Sequence, residues 1–276
     1  MGYAPRAKPS CAVIHPTKGR DSMSKGGWRI GQWVLIFGSI GFLSLEAGAQ
    51  PESGALILTP ASAPAGRSLE EALDPANPLW NEARAYPLRL NRTPPLYVDG
   101  PYDDGQRPET SARLLRLADQ TVVIRIEWTD ATANEFTMGK KYPDAGEAHI
   151  YSLHTENTNT FGDAVAVMVP QTRGPAVPYP SMMMGEAAKP VDIYAWMAGR
   201  GFAWMNGHGR ASTAFAPGFA PGVVQGQAAR TPGGWSATVA VPGLVEGTPL
   251  CFAIWDGAKQ HRDGVKYYSL WYEVGK

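Results

Sequence analysis

Cysteine is almost missing from this chain: Cys11 and Cys251 are the two among 276 residues. Neither opens a C-x-x-C-H, so covalent c-type haem attachment is excluded. Two thiols are also too few for a cysteine zinc site or an iron–sulfur cluster held by this chain alone. If Cys11 leaves with an N-terminal leader, no internal disulfide remains. Cys251, inside the apolar stretch Leu250–Trp255, then reads as a small buried hydrophobe. Charge is sparse and balanced, with 25 basic and 25 acidic side chains and a pI near 7. That balance gives no basic field for nucleic acid, and no like-charge run marks a tail. The sequence also lacks G-x-S-x-G, H-E-x-x-H, P-loop and G-x-G-x-x-G patterns, so no catalytic site of those kinds can be argued.

What is present is turn-forming and aromatic: Gly 31, Pro 24, nine Trp and eleven Tyr, in a chain 44% hydrophobic. Such a length and apolar share can bury a sizeable core, and the mixture favours strands and turns over helices. The first 49 residues read as a leader. Lys25 and Arg29 precede the apolar run Trp33–Leu45, and Ala47-Gly48-Ala49 supplies a small-x-small cleavage site. The run is shorter than the roughly 20 residues a membrane-crossing helix needs. Residues 1–22 carry no pattern, which makes Met23 a candidate initiator. A retained anchor is the rival reading. The expectation is cleavage near Ala49/Gln50, general secretion because no twin-arginine pair is present, and a periplasmic protein without a membrane anchor.

Residues 50–80 are rich in Ala, Pro and Gly and read as an extended arm; residues 81–276 read as one domain. Within it, period-2 alternation recurs. Leu88 and Leu90 share a face, as do Val122, Ile124, Ile126 and Trp128. Val191, Ile193, Ala195 and Met197 oppose Asp192, Tyr194 and Trp196. Trp235, Ala237, Val239 and Val241 form another face, then Leu250, Phe252 and Ile254, then Lys266, Tyr268, Leu270 and Tyr272. Ala164–Val169 is apolar on both faces, as a central strand would be. No amphipathic helix of convincing length appears. The predicted fold is all-β, an antiparallel two-sheet sandwich, with Gly199–Arg230 as a long irregular insertion of the kind that carries function.

Two segments stand apart chemically. Met182, Met183 and Met184 sit in a Pro/Gly-rich stretch before a strand; three methionines there either fill an irregular gap or offer a soft thioether to a metal. Lys266 opens the last strand pattern. It is either a solvated lysine or, with its pKa brought down from about 10.4 by burial, a neutral amine ligand. Lys259, in a turn, is the nearest competing lysine. Asp130, Asp163 and Asp256 fall at strand ends, where turn hydrogen bonding accounts for them and a calcium site is weakly supported. Of the five histidines, His15 lies in the leader. His149 and His154 lack a metal-ligand spacing, and His208 and His261 read as solvated loop residues.

The motifs M-G followed by P-V (Met184, Gly185, Pro190, Val191) and K-x-x-S-x-W (Lys266, Ser269, Trp271) resemble the haem-b-binding gamma subunit of the periplasmic molybdopterin enzymes. That group includes the ethylbenzene dehydrogenase, dimethylsulfide dehydrogenase, selenate reductase and chlorate reductase complexes. The resemblance runs from about Ala85 to Glu273 and includes Ile126–Asp130, Gly162–Val165 and Gly234-Trp235, all short motifs. It implies one non-covalent b-type haem, in a pocket formed by irregular loops against one sheet, held by Met184 and Lys266. Met183, Met182 and His149 stand behind Met184. It further implies a non-catalytic electron-transfer subunit whose partners are an iron–sulfur beta subunit, a molybdopterin alpha subunit and a soluble c-type cytochrome. Two other readings remain open on the residues. One is a carbohydrate- or ligand-binding β-sandwich without haem, with Trp196 and Trp204 as a stacking platform. The other is a structural subunit that has lost its cofactor. N-terminal sequencing of exported protein is expected to read from about Gln50; finding the apolar segment intact in a membrane fraction would contradict the leader assignment.

Overall fold

Alternating apolar residues can be buried only by a second layer, and the chain supplies one. The computed structural model describes residues 56–93, 106–136, 162–210, 212–215, 224–259, 261 and 264–276. The leader, His149 and His154 lie outside them. The described residues belong to one unit, Glu52–Lys276. Among them, nine strands form one sheet. Its main path runs β1 (Leu56–Leu58), β15 (Tyr272–Val274), β13 (Pro249–Trp255), β7 (Ala164–Pro170), β8 (Val191–Met197), β9 (Gly201–Gly207) and β10 (Ala214–Phe215). Strand β14 (Tyr267–Ser269) also pairs with β13, and β4 (Leu90–Arg92) with β14. Six more strands form the second sheet: β11 (Gly226–Thr231), β12 (Gly234–Val241), β6 (Val122–Thr129), β5 (Thr110–Arg116) and β2 (Ala61–Ser62), with β3 (Tyr86–Pro87) on β5.

The main core lies between the sheets and follows the alternation. Val122, Ile124, Ile126, Trp128, Trp235, Ala237, Val239 and Val241 come from the smaller sheet. Val165, Val167, Tyr194, Trp196, Leu250, Phe252, Ile254 and Tyr267 come from the larger. The fold is therefore the expected all-β sandwich, with one refinement. Two edge pairings, β1 with β15 and β2 with β5, are parallel. Trp196 is 8% exposed and so offers no stacking surface, whereas Trp204 is half-buried against the same core.

Three local readings change. The stretch taken as an extended arm supplies β1 and β2, and it also covers the outer face of the smaller sheet. A short helix (Leu69–Leu73) and a 3-10 turn (Pro78–Glu82) set Leu73, Leu79 and the fully buried Trp80 against Leu115, Val123 and Ala240. Ser68 and Glu71 make a capping box at that helix, and the Trp80 indole donates to the Asp74 carbonyl at 3.2 Å. The stretch read as irregular, Gly199–Arg230, holds β9 and β11. Glycines at both ends of β9 and the polar edge strand β11 (GQAART) blur the alternation there. Finally, the predicted face Lys266–Tyr268–Leu270–Tyr272 is interrupted. The chain leaves the sheet at Leu270-Trp271, so Tyr272 turns into the inter-sheet core while Leu270 is exposed.

Gly234, at the β11–β12 hairpin, is held by close approach: a Cβ there would lie 1.9 Å from the Trp128 carbonyl oxygen. Gly234→Ala is expected to cost about 1–3 kcal/mol by forcing the two central strands apart. A melting temperature within a degree of wild type would show that the hairpin absorbs the methyl.

Candidate functional site

The outer face of the larger sheet is apolar too, although among the described residues no further sheet covers it. Strand β7 serves as a ruler across it. At Ala164 the register reads Trp255 on β13 and Met197 on β8. At Ala166 it reads Ala253, Ala195 and Ala203 on β13, β8 and β9, and Tyr268 opposes Ala253 from β14. At Met168 it reads Cys251, Ile193 and Met205. Four alanines thus stand side by side across four strands, between two rows of larger side chains. Most members of these rows are buried in one cluster with Phe136 and Trp271. Four strands at about 4.8 Å spacing give the alanine row a length of roughly 14 Å.

Lys266 lies at the first row. Its backbone N–H donates to the Thr93 hydroxyl at 2.8 Å, and its carbonyl accepts from the Thr93 N–H and hydroxyl. Its ammonium stands 5.2 Å from the centre of the Trp255 ring. The stem is half-buried and the charge acts on the third row: burial pushes the Cys251 thiol up, and Lys266 opposes that shift. Lys259, the rival, is engaged elsewhere, with its ammonium 3.0 Å from the Gln106 carbonyl and 3.2 Å from the Tyr267 hydroxyl.

Met184 is the most constrained of the methionine triplet. It has a left-handed backbone (φ 64°), rare outside glycine, and Gly185 follows at φ 77°. Its carbonyl accepts from Gly209 N–H at 2.9 Å, and its sulfur accepts from the Thr213 hydroxyl at 2.8 Å. A Cβ on Gly207 would lie 2.8 Å from the Met184 carbonyl oxygen, so this approach requires glycine. Met183 is 51% exposed, whereas Met182 and Met184 pack on the outer cluster. The loop is pinned by Tyr179, which stacks on Trp271 at 6.1 Å and donates to Glu273 at 2.6 Å. Burial and Glu273 push the Tyr179 hydroxyl up to about 12.

The structure puts Met184 and Lys266 on one face but not opposite each other. Gly207, beneath Met184, aligns with Val191 and Pro170. On the β7 ruler that is six residues from the Ala164 level of Lys266, roughly 20 Å along the strand. Met168 is better placed: it borders the alanine row from the side opposite Lys266, four residues or roughly 13 Å away along β7. Its neighbour across the strand is Cys251, whose thiol feels the Lys266 charge. The sequence offered no cue to Met168, because a methionine inside an apolar strand reads as core.

A second cluster forms where three strand ends converge. One carboxylate oxygen from each of Asp130, Asp163 and Asp256 lies within 4.8 Å of the others. Asp163 accepts from Asn134 N–H at 2.8 Å, Trp235 Nε1 at 3.0 Å and Gly257 N–H at 2.9 Å, so it ties both sheets together. Thr132 N–H donates to Asp130, and Lys259 N–H to Asp256. These bonds are the turn contacts expected of strand-end aspartates. Hard carboxylate oxygens also suit calcium or magnesium. Burial, then the Asp130 charge, push Asp163 up to about 6. Burial, with Asp256 adding, raises Asp130. His261 belongs to this corner and is not a solvated loop residue: it is 3% exposed, accepts from Asp256 N–H at 3.3 Å, and packs edge-on against Tyr267.

No family model and no curated protein matches the chain. Among solved structures, a proposed carbohydrate-binding protein from Bacteroides uniformis superposes with a TM-score of 0.44 at 12% identity, over 79% of this chain and 91% of that one.

Because Asp163 is raised in the folded chain from 3.8 to about 6, its contribution to stability is full below about pH 4 and is lost as pH rises through 6. Asp163→Asn should flatten that part of the stability-versus-pH curve, whatever constant offset the lost acceptor adds. Thermal melts across this window with parallel curves for the two proteins would refute the assignment.

Proposed function

We propose that this chain is a b-type cytochrome, an electron-transfer subunit that holds one haem non-covalently on the outer face of its larger sheet. The observation that carries the reading is the row Ala253–Ala166–Ala195–Ala203, bordered on one side by Met168 and on the other by Lys266. A flat apolar group needs a floor of small side chains. The donor set fits a haem iron: a thioether is soft, and a lysine offers a strong nitrogen donor once neutral.

Lys266 and a methionine would hold the haem, and bound there it would supply reversible one-electron chemistry. The chain's own residues do the rest. The Trp255 ring beneath the Lys266 nitrogen and the apolar rows around it form the wall on the lysine's side. Met168, which borders the alanine row on the side away from Lys266, or Met184, the choice implied by the resemblance and one row further along, would supply the thioether. Tyr179 and Trp271 wall off the Cys251 end of the face. Held by two protein side chains, such a group would suit a carrier that passes electrons between an iron–sulfur subunit and a soluble c-type cytochrome. Substrate chemistry then belongs to a molybdopterin subunit. The periplasm is the compartment this reading requires.

Haem titration of Lys266→Ala, Met168→Ala and Met184→Ala tests it. Lys266→Ala should lose most haem uptake. Met168→Ala should retain haem, lower its reduction potential and admit carbon monoxide, while Met184→Ala leaves the spectrum unchanged. The reverse result for the two methionines would restore Met184 as ligand. A Lys266→Ala protein with full haem and an unaltered spectrum would remove the reading at its most specific point.

A further inference from the structure

The open end of the sandwich, away from the alanine row, carries a groove of about 640 Å³, a size ordinary for small-molecule sites. Its lining residues include Trp128 and Trp235 together with Thr110, Thr231, Glu109 and Glu127. Among the described residues, no lysine, arginine or histidine lines it. Trp128 is 3% exposed, and its indole N–H is buried without a hydrogen-bond partner. Trp235, its cross-strand neighbour, does have a partner, because its indole donates to Asp163. A buried donor left unpaired costs free energy, so a polar tryptophan edge is normally kept only where an acceptor reaches it.

We propose that this groove is a second ligand site, for a small neutral polyhydroxylated molecule of the sugar or cyclitol class, one of whose oxygens accepts from the Trp128 indole. The chemistry selects that class. The missing partner is an acceptor, which excludes a purely apolar ligand. Glu127 is neutralised by Arg125 at 2.6 Å and Arg113 at 3.6 Å, and the remaining carboxylate, Glu109, disfavours an anionic acceptor such as a carboxylate or phosphate. A hydroxyl satisfies both demands, because it accepts from the indole and donates its own proton to a carboxylate or threonine oxygen. Trp128 and Trp235 are too deeply buried for a ring to stack on their faces, so recognition would rest on hydrogen bonds to the polar rim.

The site is independent of haem, and its test is too. In full-length mature protein labelled at the tryptophan nitrogens, the Trp128 indole resonance is assigned with Trp128→Phe. Glucose, galactose, xylose and myo-inositol are then titrated separately. At least one should move that resonance saturably while leaving the Trp204 indole in place, and Glu109→Gln should weaken the binding several-fold with the fold intact. The same shift in Lys266→Ala protein would show that the site stands whether or not the haem reading does. If no saccharide or inositol moves the Trp128 resonance, the groove holds water only and the proposal is wrong. A saturable shift with methylamine or acetate but none with the polyols would equally overturn it.

Discussion

Strand β7 is buried on both faces along its whole length, and the rest of the molecule answers to that constraint. A strand with Val165, Val167 and Val169 on one side and Ala164, Ala166 and Met168 on the other needs two covers. The smaller sheet provides one. The other comes from loops and strand ends, and it is there that candidate ligand chemistry collects. On the inner side, valines opposite Tyr194, Trp196, Phe252 and Ile254 fill the volume between sheets as a stable core should. On the outer side the same strand presents two alanines in succession. Each methylene forgone on a buried face gives up about 0.8 kcal/mol of transfer free energy.

Much of the architecture was legible because alternation is a local signal. The faces read from Val122–Trp128, Trp235–Val241 and Leu250–Ile254 are the faces the core uses. Where the pattern failed, a tertiary cause is visible. Strand β9 begins and ends in glycine, and Gly207 is glycine because Met184 lies on it, so the residue that blurred the strand is explained by a contact no local reading sees. The N-terminal stretch looked aperiodic because it is assembled from pieces of two to five residues, each fitted to a different part of the sandwich.

The site was less legible than the fold, for a geometric reason. Lys266 drew notice by its neighbours in sequence, and the structure lays it on an apolar face. The alanine row could not be read in advance. Ala166, Ala195, Ala203 and Ala253 are unremarkable in their own strands and become a feature only when the register lines them up. Met168 was passed over for the same reason, because its relation to Lys266 exists only across strands. The Asp130–Asp163–Asp256 corner shows the converse. All three residues were noticed as strand-end aspartates, but their mutual approach within 4.8 Å depends on three turns meeting.

The two outer faces are treated differently, and the difference argues for where function lies. The outer face of the smaller sheet is sealed by the N-terminal segment. Trp80 is fully buried there, Arg113 reaches the Trp80 and Ala83 carbonyls, and Thr238 donates to the Leu73 carbonyl. Large side chains and the hydrogen bonds to those carbonyls make that a structural closure. The outer face of the larger sheet has small side chains at its centre and polarizable or aromatic ones at its rim: Met168, Met197, Met205, Trp255 and Trp271. Over this face lies a loop whose Met184 is held in a strained backbone conformation. Strain of that kind, of order 1–3 kcal/mol, persists only where surrounding contacts enforce it. One face is thus closed by bulk, while the other combines a low centre with a lysine at its edge, and the proposed haem reading rests on that asymmetry.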